Sequence, residues 1–160
     1  MKILIIIGSQ SDLTTVNKTK ERLNEFGIEA EVRIASAHRT PYKTESLVKQ
    51  AEEQGHELII AAAGLAAHLP GVCAAHTTLP VIGIPVENGP LKGVDSLYSI
   101  VMMPPGVPVA CMGIGSSGAD NAAIFATQIL SLKYPELKEA LKKFKVQMSE
   151  KVEKADQSLS

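Results

Sequence analysis

The chain has 160 residues, of which 45% are hydrophobic and 21% charged, with a formal net charge of -1. That length fits one domain with a real core, and the near-balanced charge excludes a nucleic-acid-binding stripe or an acidic tail. Cys73 and Cys111 form no Cys-x-x-Cys or disulfide-like pattern, which points to a reducing compartment. The longest apolar region, Leu58 to Val72, is interrupted by Gly64, His68 and Pro70, so it falls short of the roughly 18 apolar residues a membrane span needs. A cytoplasmic protein with a small-molecule partner is expected.

Ile3 to Ile7 is short, continuous and β-branched, and it meets Gly8-Ser9 at once, so it reads as a buried parallel strand rather than a signal sequence. Gly8 to Asp12 supplies a turn and capping side chains, and Leu13, Val16, Leu23 and Phe26 then recur at helical spacing until Gly27. Ile28 to Ile34 alternates apolar and charged residues, predicting a strand with one less buried face. Pro41 opens a helix whose inner face is Leu47, Val48 and Ala51, and Gly55 ends it. His56 beside that glycine reads as surface.

Leu58 to Ala63 predicts a third strand, Ala66 to Thr77 an Ala-rich helix irregular near Pro70, and Val81 to Val86 a fourth strand. Val94 to Met103 predicts a helix, Val107 to Ile114 a fifth strand, and Ala119 to Leu132 a closely packed helix of small residues. This alternation implies an α/β fold with a five-stranded parallel sheet, helices on both faces and a flavodoxin-like strand order. Pro135 to Leu159 carries Leu137, Leu141, Phe144, Met148 and Val152 on one face of an extended terminal helix. That face packs either on its own domain or on a neighbouring subunit.

In such a sheet ligands bind outside the carboxyl ends of the strands. Three loops there carry chemistry. Gly8-Ser9-Gln10-Ser11-Asp12 offers hydroxyls and backbone N–H groups at a helix N-terminus, which favours an anion or is simply a cap. It matches neither Gly-x-Gly-x-x-Gly nor the Walker pattern, and Asp12 suits ribose hydroxyls better than phosphate. Ser36-Ala37-His38-Arg39-Thr40-Pro41 joins a proton-moving histidine to a guanidinium fork, and the alternative is a solvated turn. Ala61 to Gly71 is small and apolar around His68, a residue that reads equally as hydrogen-bonded core. No metal-ligand spacing or nucleophile elbow is present, and both cysteines read as packing.

Taken together, Gly8 to Asp12, Ser36 to Pro41, Ala66-Ala67-His68-Leu69-Pro70-Gly71, Leu79 to Val86, Asp95 to Val101 and Met103 to Val109 resemble, in order, the class I N5-carboxyaminoimidazole ribonucleotide mutases of de novo purine synthesis. The resemblance covers roughly residues 3 to 132. It implies a flavodoxin-like three-layer α/β/α sandwich, a core over 1–132 followed by a helix over 133–160 that packs on a neighbour, and a homo-octamer with sites at subunit junctions. It implies an isomerase acting without metal, ATP or organic cofactor. Ser9, Ser11, Asp12, Ser36 and Arg39 would hold the ribonucleotide and His38 would be the acid/base. Gly64, Leu65, Ala66, His68 and Leu69 would wall the pocket, with His68 near the carboxylate.

Two positions depart from the family pattern: Leu65 stands where a glycine is usual, and Met102 where glutamine is usual. A class II carboxylase taking free CO2 is a rival, although that class generally carries lysine where this chain has Arg39. A non-catalytic flavodoxin-like nucleotide-binding module would leave His38, Arg39 and His68 without a role. A paralogue acting in cofactor assembly on another ring is a third.

Overall fold

The structure, a computed structural model, describes residues 1–159. Five parallel strands form one sheet in the order β2-β1-β3-β4-β5. They are β1 (Lys2–Ile7), β2 (Glu29–Ile34), β3 (Leu58–Ala63), β4 (Val81–Pro85) and β5 (Ala110–Cys111). A single 3-10 turn, Gln10–Asp12, precedes α1 (Leu13–Glu25), and α2 (Pro41–Ala51), α3 (Leu69–Ala75), α4 (Val94–Val101), α5 (Gly115–Leu130) and α6 (Pro135–Gln157) follow.

The central strands β1, β3 and β4 are covered on both faces, which is why they read as unbroken apolar runs. On one face Ile3, Ile5, Ile7, Leu58, Ile60, Ile82 and Ile84 pack against α1 and α5. On the other, Leu4, Ile6, Ile59, Ala61 and Val81 pack against α2, α3 and α4. The predicted three-layer sandwich and its extended terminal helix are therefore present. Ala119, Ala122, Ala123 and Ala126 of α5 are fully buried, and the Thr19 hydroxyl of α1 donates to the Ala119 carbonyl at 2.8 Å. Only small side chains allow that approach.

Four local expectations are corrected. The fifth strand pairs only at Ala110–Cys111, against Ile82 and Gly83, because Pro108 cannot donate to a ladder. The helix predicted from Ala66 begins at Leu69: Leu65 takes a left-handed φ of +56°, and Ala66 to His68 turn too tightly for helix. Ile34, on the inward phase of the alternation, is 42% exposed because it ends the edge strand. His56 is not on the surface.

That histidine is buried, with Nδ1 at 3.0 Å from the Ala51 carbonyl and Nε2 at 3.2 Å from the Glu31 carboxylate. Both ring nitrogens face acceptors, so both donate only when the ring is the imidazolium. Glu31 also meets the Lys2 ammonium at 2.9 Å and the Arg33 guanidinium at 3.2 Å. Chiefly through Lys2, and against desolvation, its carboxyl is held down to about 2.

The first turns of α6 pack on their own chain. Leu137 is buried, and Phe144 meets Phe26 edge-on at 5.6 Å with the Arg22 guanidinium 4.9 Å from its ring. Beyond it Val146, Met148 and Val152 are exposed. Of the two packings open at the sequence level, the proximal half takes the first.

Candidate active site

The sheet order places the ends of β1 and β3 side by side, with their following helices α1 and α3 on opposite faces. At such a switch point the loops diverge and leave a crevice. A cleft of about 440 Å³ opens there, within the ordinary range for small-molecule sites. Ser9, Ser11, Asp12, Ser36, His38, Arg39, Gly64, Leu65, Ala66, His68 and Leu69 all line it. Every site residue predicted from sequence is thus brought to one place, from three loops.

In the first loop Asp12 is 3% exposed, and its Oδ2 accepts the Ser9 N–H at 3.0 Å. Its Oδ1 accepts the Ser11 hydroxyl at 3.3 Å, and the hydroxyls of Ser9 and Ser11 hydrogen-bond each other. Asp12 therefore helps to order the loop, and Ser9, Ser11 and Asp12 all line the cleft. The N-termini of α1 and α2 open at the same end of the sheet, adding the positive ends of two helix dipoles.

In the second loop Ser36 accepts the Arg39 N–H at 3.2 Å, and the Thr40 hydroxyl accepts the Ser36 N–H at 2.9 Å. Pro41 then fixes the first turn of α2. Arg39 reaches back across the cleft, Nη2 donating to the Gly8 carbonyl at 3.1 Å and Nε to the Ser36 hydroxyl at 3.5 Å, and so ties the second loop to the first, with Nη1 unpaired among the described residues.

His38 Nε2 lies 2.7 Å from His68 Nδ1, with the two rings crossing at 85°. One nitrogen must donate and the other accept, so a single proton sits between the rings. Nothing in the spacing of 30 residues announces this pair. The sequence alone left His68 open between core and site; the structure exposes it in the cleft.

The fourth loop, after β4, also reaches the cleft through Asn88, which sequence reasoning missed. Its amide donates to Asp12 Oδ1 at 3.3 Å. The rule that ligands gather at strand carboxyl ends covers this loop too, but Glu87-Asn88-Gly89-Pro90 looks like an ordinary turn. Met102, the other departure from the family pattern, is 77% exposed at the end of α4 and does not line the cleft. Cys73 is buried with its thiol pushed up to about 12 by desolvation, while Cys111 is half-buried.

The chain matches the AIR carboxylase family model over residues 2–151. The chain belongs to the AIR carboxylase family. Among its relatives in that family, the N5-carboxyaminoimidazole ribonucleotide mutase of Pyrococcus abyssi is 53% identical over 147 residues, covering 92% of this chain and 83% of the relative. The enzyme of the same name from Pseudomonas aeruginosa is 52% identical, covering 92% and 91% of the two chains. The crystal structure of Treponema denticola PurE superposes with a TM-score of 0.89 at 30% identity, over 99% of this chain and 98% of that one. No helix among the described residues is long and apolar enough to cross a membrane.

Proposed function

We propose that this AIR carboxylase family member is an N5-carboxyaminoimidazole ribonucleotide mutase, an isomerase of purine biosynthesis that moves a carboxylate from the exocyclic nitrogen to carbon four of the aminoimidazole ring. The observation that carries the chemistry is the His38–His68 pair, 2.7 Å apart at the wall of a cleft whose other side presents Ser9, Ser11 and Arg39.

The reaction needs little beyond this. A proton from His38 to the carbamate nitrogen breaks the N–C bond, releasing CO2 and the neutral aminoimidazole. The enamine carbon of the ring then attacks the retained CO2, and His38 takes the proton that carbon four gives up, so no net proton is consumed. One group in two protonation states serves both steps, contributing typically about 10²- to 10⁴-fold. His68 beside it receives or supplies the shared proton and faces the migrating carboxylate.

Holding CO2 against the ring is the second requirement. The wall from Ala63 to Leu69 offers small apolar side chains, and keeping two fragments in reacting geometry can remove up to roughly 7–11 kcal/mol of barrier. Arg39 and the serine hydroxyls suit the ribose phosphate: a guanidinium fork matches its oxygens, and helix N-termini favour its charge. Ser36 orders Arg39. Gly64, Leu65, Ala66 and Leu69 form the wall, and no metal or organic cofactor takes part.

The protein is read as cytoplasmic and as a homo-octamer with sites at subunit junctions. The exposed Val146, Met148 and Val152 of α6 support contact with a neighbour, and light scattering that finds a monomer would contradict it.

The deciding experiment gives purified protein synthetic N5-carboxyaminoimidazole ribonucleotide, or aminoimidazole ribonucleotide with bicarbonate, and follows the 4-carboxy product by absorbance. Turnover of the first without bicarbonate is expected. Product only from the second would replace the mutase with a carboxylase using free CO2.

A further inference from the structure

Leu65 is held in the left-handed region at φ +56°, a conformation unfavourable for a large side chain, and is 51% exposed. Its surroundings account for the conformation. A Cβ on Gly89 would lie 2.5 Å from Leu65 Cδ2, so the leucine occupies the space that this glycine leaves. The reverse fit holds one residue earlier: a Cβ on Gly64 would lie 2.8 Å from the Asn88 amide nitrogen and 3.0 Å from its Cβ. Two neighbouring residues on the loop after β3 therefore interlock with two on the loop after β4. Each loop supplies one glycine and one side chain.

The side chain so seated is the one that reaches Asp12. The buried Asp12 carboxylate has three donors among the described residues: the Ser9 N–H, the Ser11 hydroxyl and the Asn88 amide. The first two belong to its own loop. Asn88 alone ties that carboxylate to the rest of the fold. We infer that Asn88 is a positioning residue that fixes Asp12, and through it the Ser9–Ser11 loop, and that Leu65 acts by holding Asn88 in place.

The kinetic part of the inference rests on the cleft being the ribonucleotide site; the structural part does not. Asn88→Ala, Asn88→Ser, Leu65→Gly and the double variant Leu65→Gly/Asn88→Ala separate the two. In the ligand-free protein, amide exchange at Ser9 reports the bond to Asp12 Oδ2 directly, and exchange at Ile5 reports the core. Asn88→Ala is expected to speed exchange at Ser9 about tenfold with Ile5 unmoved, the size of one lost hydrogen bond to a charged group. In turnover it raises KM for the ribonucleotide about tenfold and changes kcat less than about threefold. Asn88→Ser, which keeps a donor, stays within about threefold of wild type. Leu65→Gly gives a smaller rise, about threefold in each readout, and the double variant matches Asn88→Ala.

Unchanged exchange at Ser9 in Asn88→Ala, or an equal rise at Ile5, overturns the positioning role. Loss in Asn88→Ser as large as in Asn88→Ala overturns the role of the donor. Multiplying effects in the double variant overturn the link through Leu65. A wild-type protein that turns over neither substrate would instead sink the mutase reading, and exchange at Ser9 would still decide the role of Asn88.

Discussion

Replacing His68 by asparagine tests whether the two histidines act as a unit. The 2.7 Å separation of His38 Nε2 and His68 Nδ1 lies in the range of charge-assisted hydrogen bonds, and in the proposed reaction one ring of the pair carries the extra proton. Such a bond contributes about 1.5–3 kcal/mol. Both rings are exposed to the cleft, so the lower part of that range applies, about 1.5–2 kcal/mol, or roughly 10- to 30-fold in rate. Asparagine fits the space and can hydrogen-bond, but it cannot exchange a proton. His68→Asn is therefore expected to lower kcat about 10- to 30-fold and to move KM less than about threefold. His38→Asn removes the proposed acid/base and is expected to lower kcat about 10²- to 10⁴-fold, with ribonucleotide binding largely kept. The double variant should be no slower than His38→Asn, since a partner has nothing to assist once the proton carrier is gone. Steady-state absorbance kinetics with synthetic ribonucleotide measure all three. Wild-type kcat in His68→Asn, or a double variant slower by the product of the two losses, refutes the shared proton.

Arg39→Ala is expected to raise KM about tenfold with a smaller change in kcat, and Arg39→Lys to recover only part, because an ammonium cannot span Gly8 and a phosphate oxygen together; initial-rate kinetics check both. Glu31, held at about 2 against an ordinary 4.5, contributes stability that is present above about 4.5 and lost as pH falls toward 2. Discounted for its partial exposure, this amounts to about 1–2 kcal/mol, so urea unfolding of wild type should weaken across that acid window by that much more than Glu31→Gln. Phe144→Ala removes the edge-on contact with Phe26 and the Arg22 stack, and should cost about 1–2 kcal/mol in the same assay with an unchanged m value.

The fold was legible where burial is uniform. Ile3–Ile7 and Leu58–Ala63 are covered on both faces, so their apolar runs have no competing reading. The strand predicted over Val107 to Ile114 is present but shortened to Ala110–Cys111, because hydropathy says nothing about ladder donors, and Pro108 has none to give. The site was legible by loop and not by contact. Ser9, His38 and Arg39 follow strands, and strand ends are where ligands gather in this topology. What His38 touches lies 30 residues away, what His56 touches lies 25 residues away, and what Asp12 touches lies 76 residues away. None of those separations leaves a local pattern. For His56 the inference also pointed the wrong way, since a histidine beside a helix-ending glycine resembles a solvated cap until the edge strand supplies Glu31.

The same separation explains how the departures from the family pattern are accommodated. The strands and the helices behind them set where the four loops begin, and the buried faces leave little freedom there. The loops after β3 and β4 can change only if they change together, because they interlock through Gly64, Leu65, Asn88 and Gly89, and Asn88 carries that joint to Asp12 of the first loop. Leu65 taken alone is a strained residue with half its surface in solvent. Taken with Gly89 it fills a space that an added Cβ would close, and with Gly64 and Asn88 it forms a joint whose far end is Asp12. The residue types at 64, 65, 88 and 89 therefore make physical sense as a set, whereas no single one of them is explained by propensity, and the hydrogen bond between His38 and His68 and that from Arg39 to Gly8 involve none of the four.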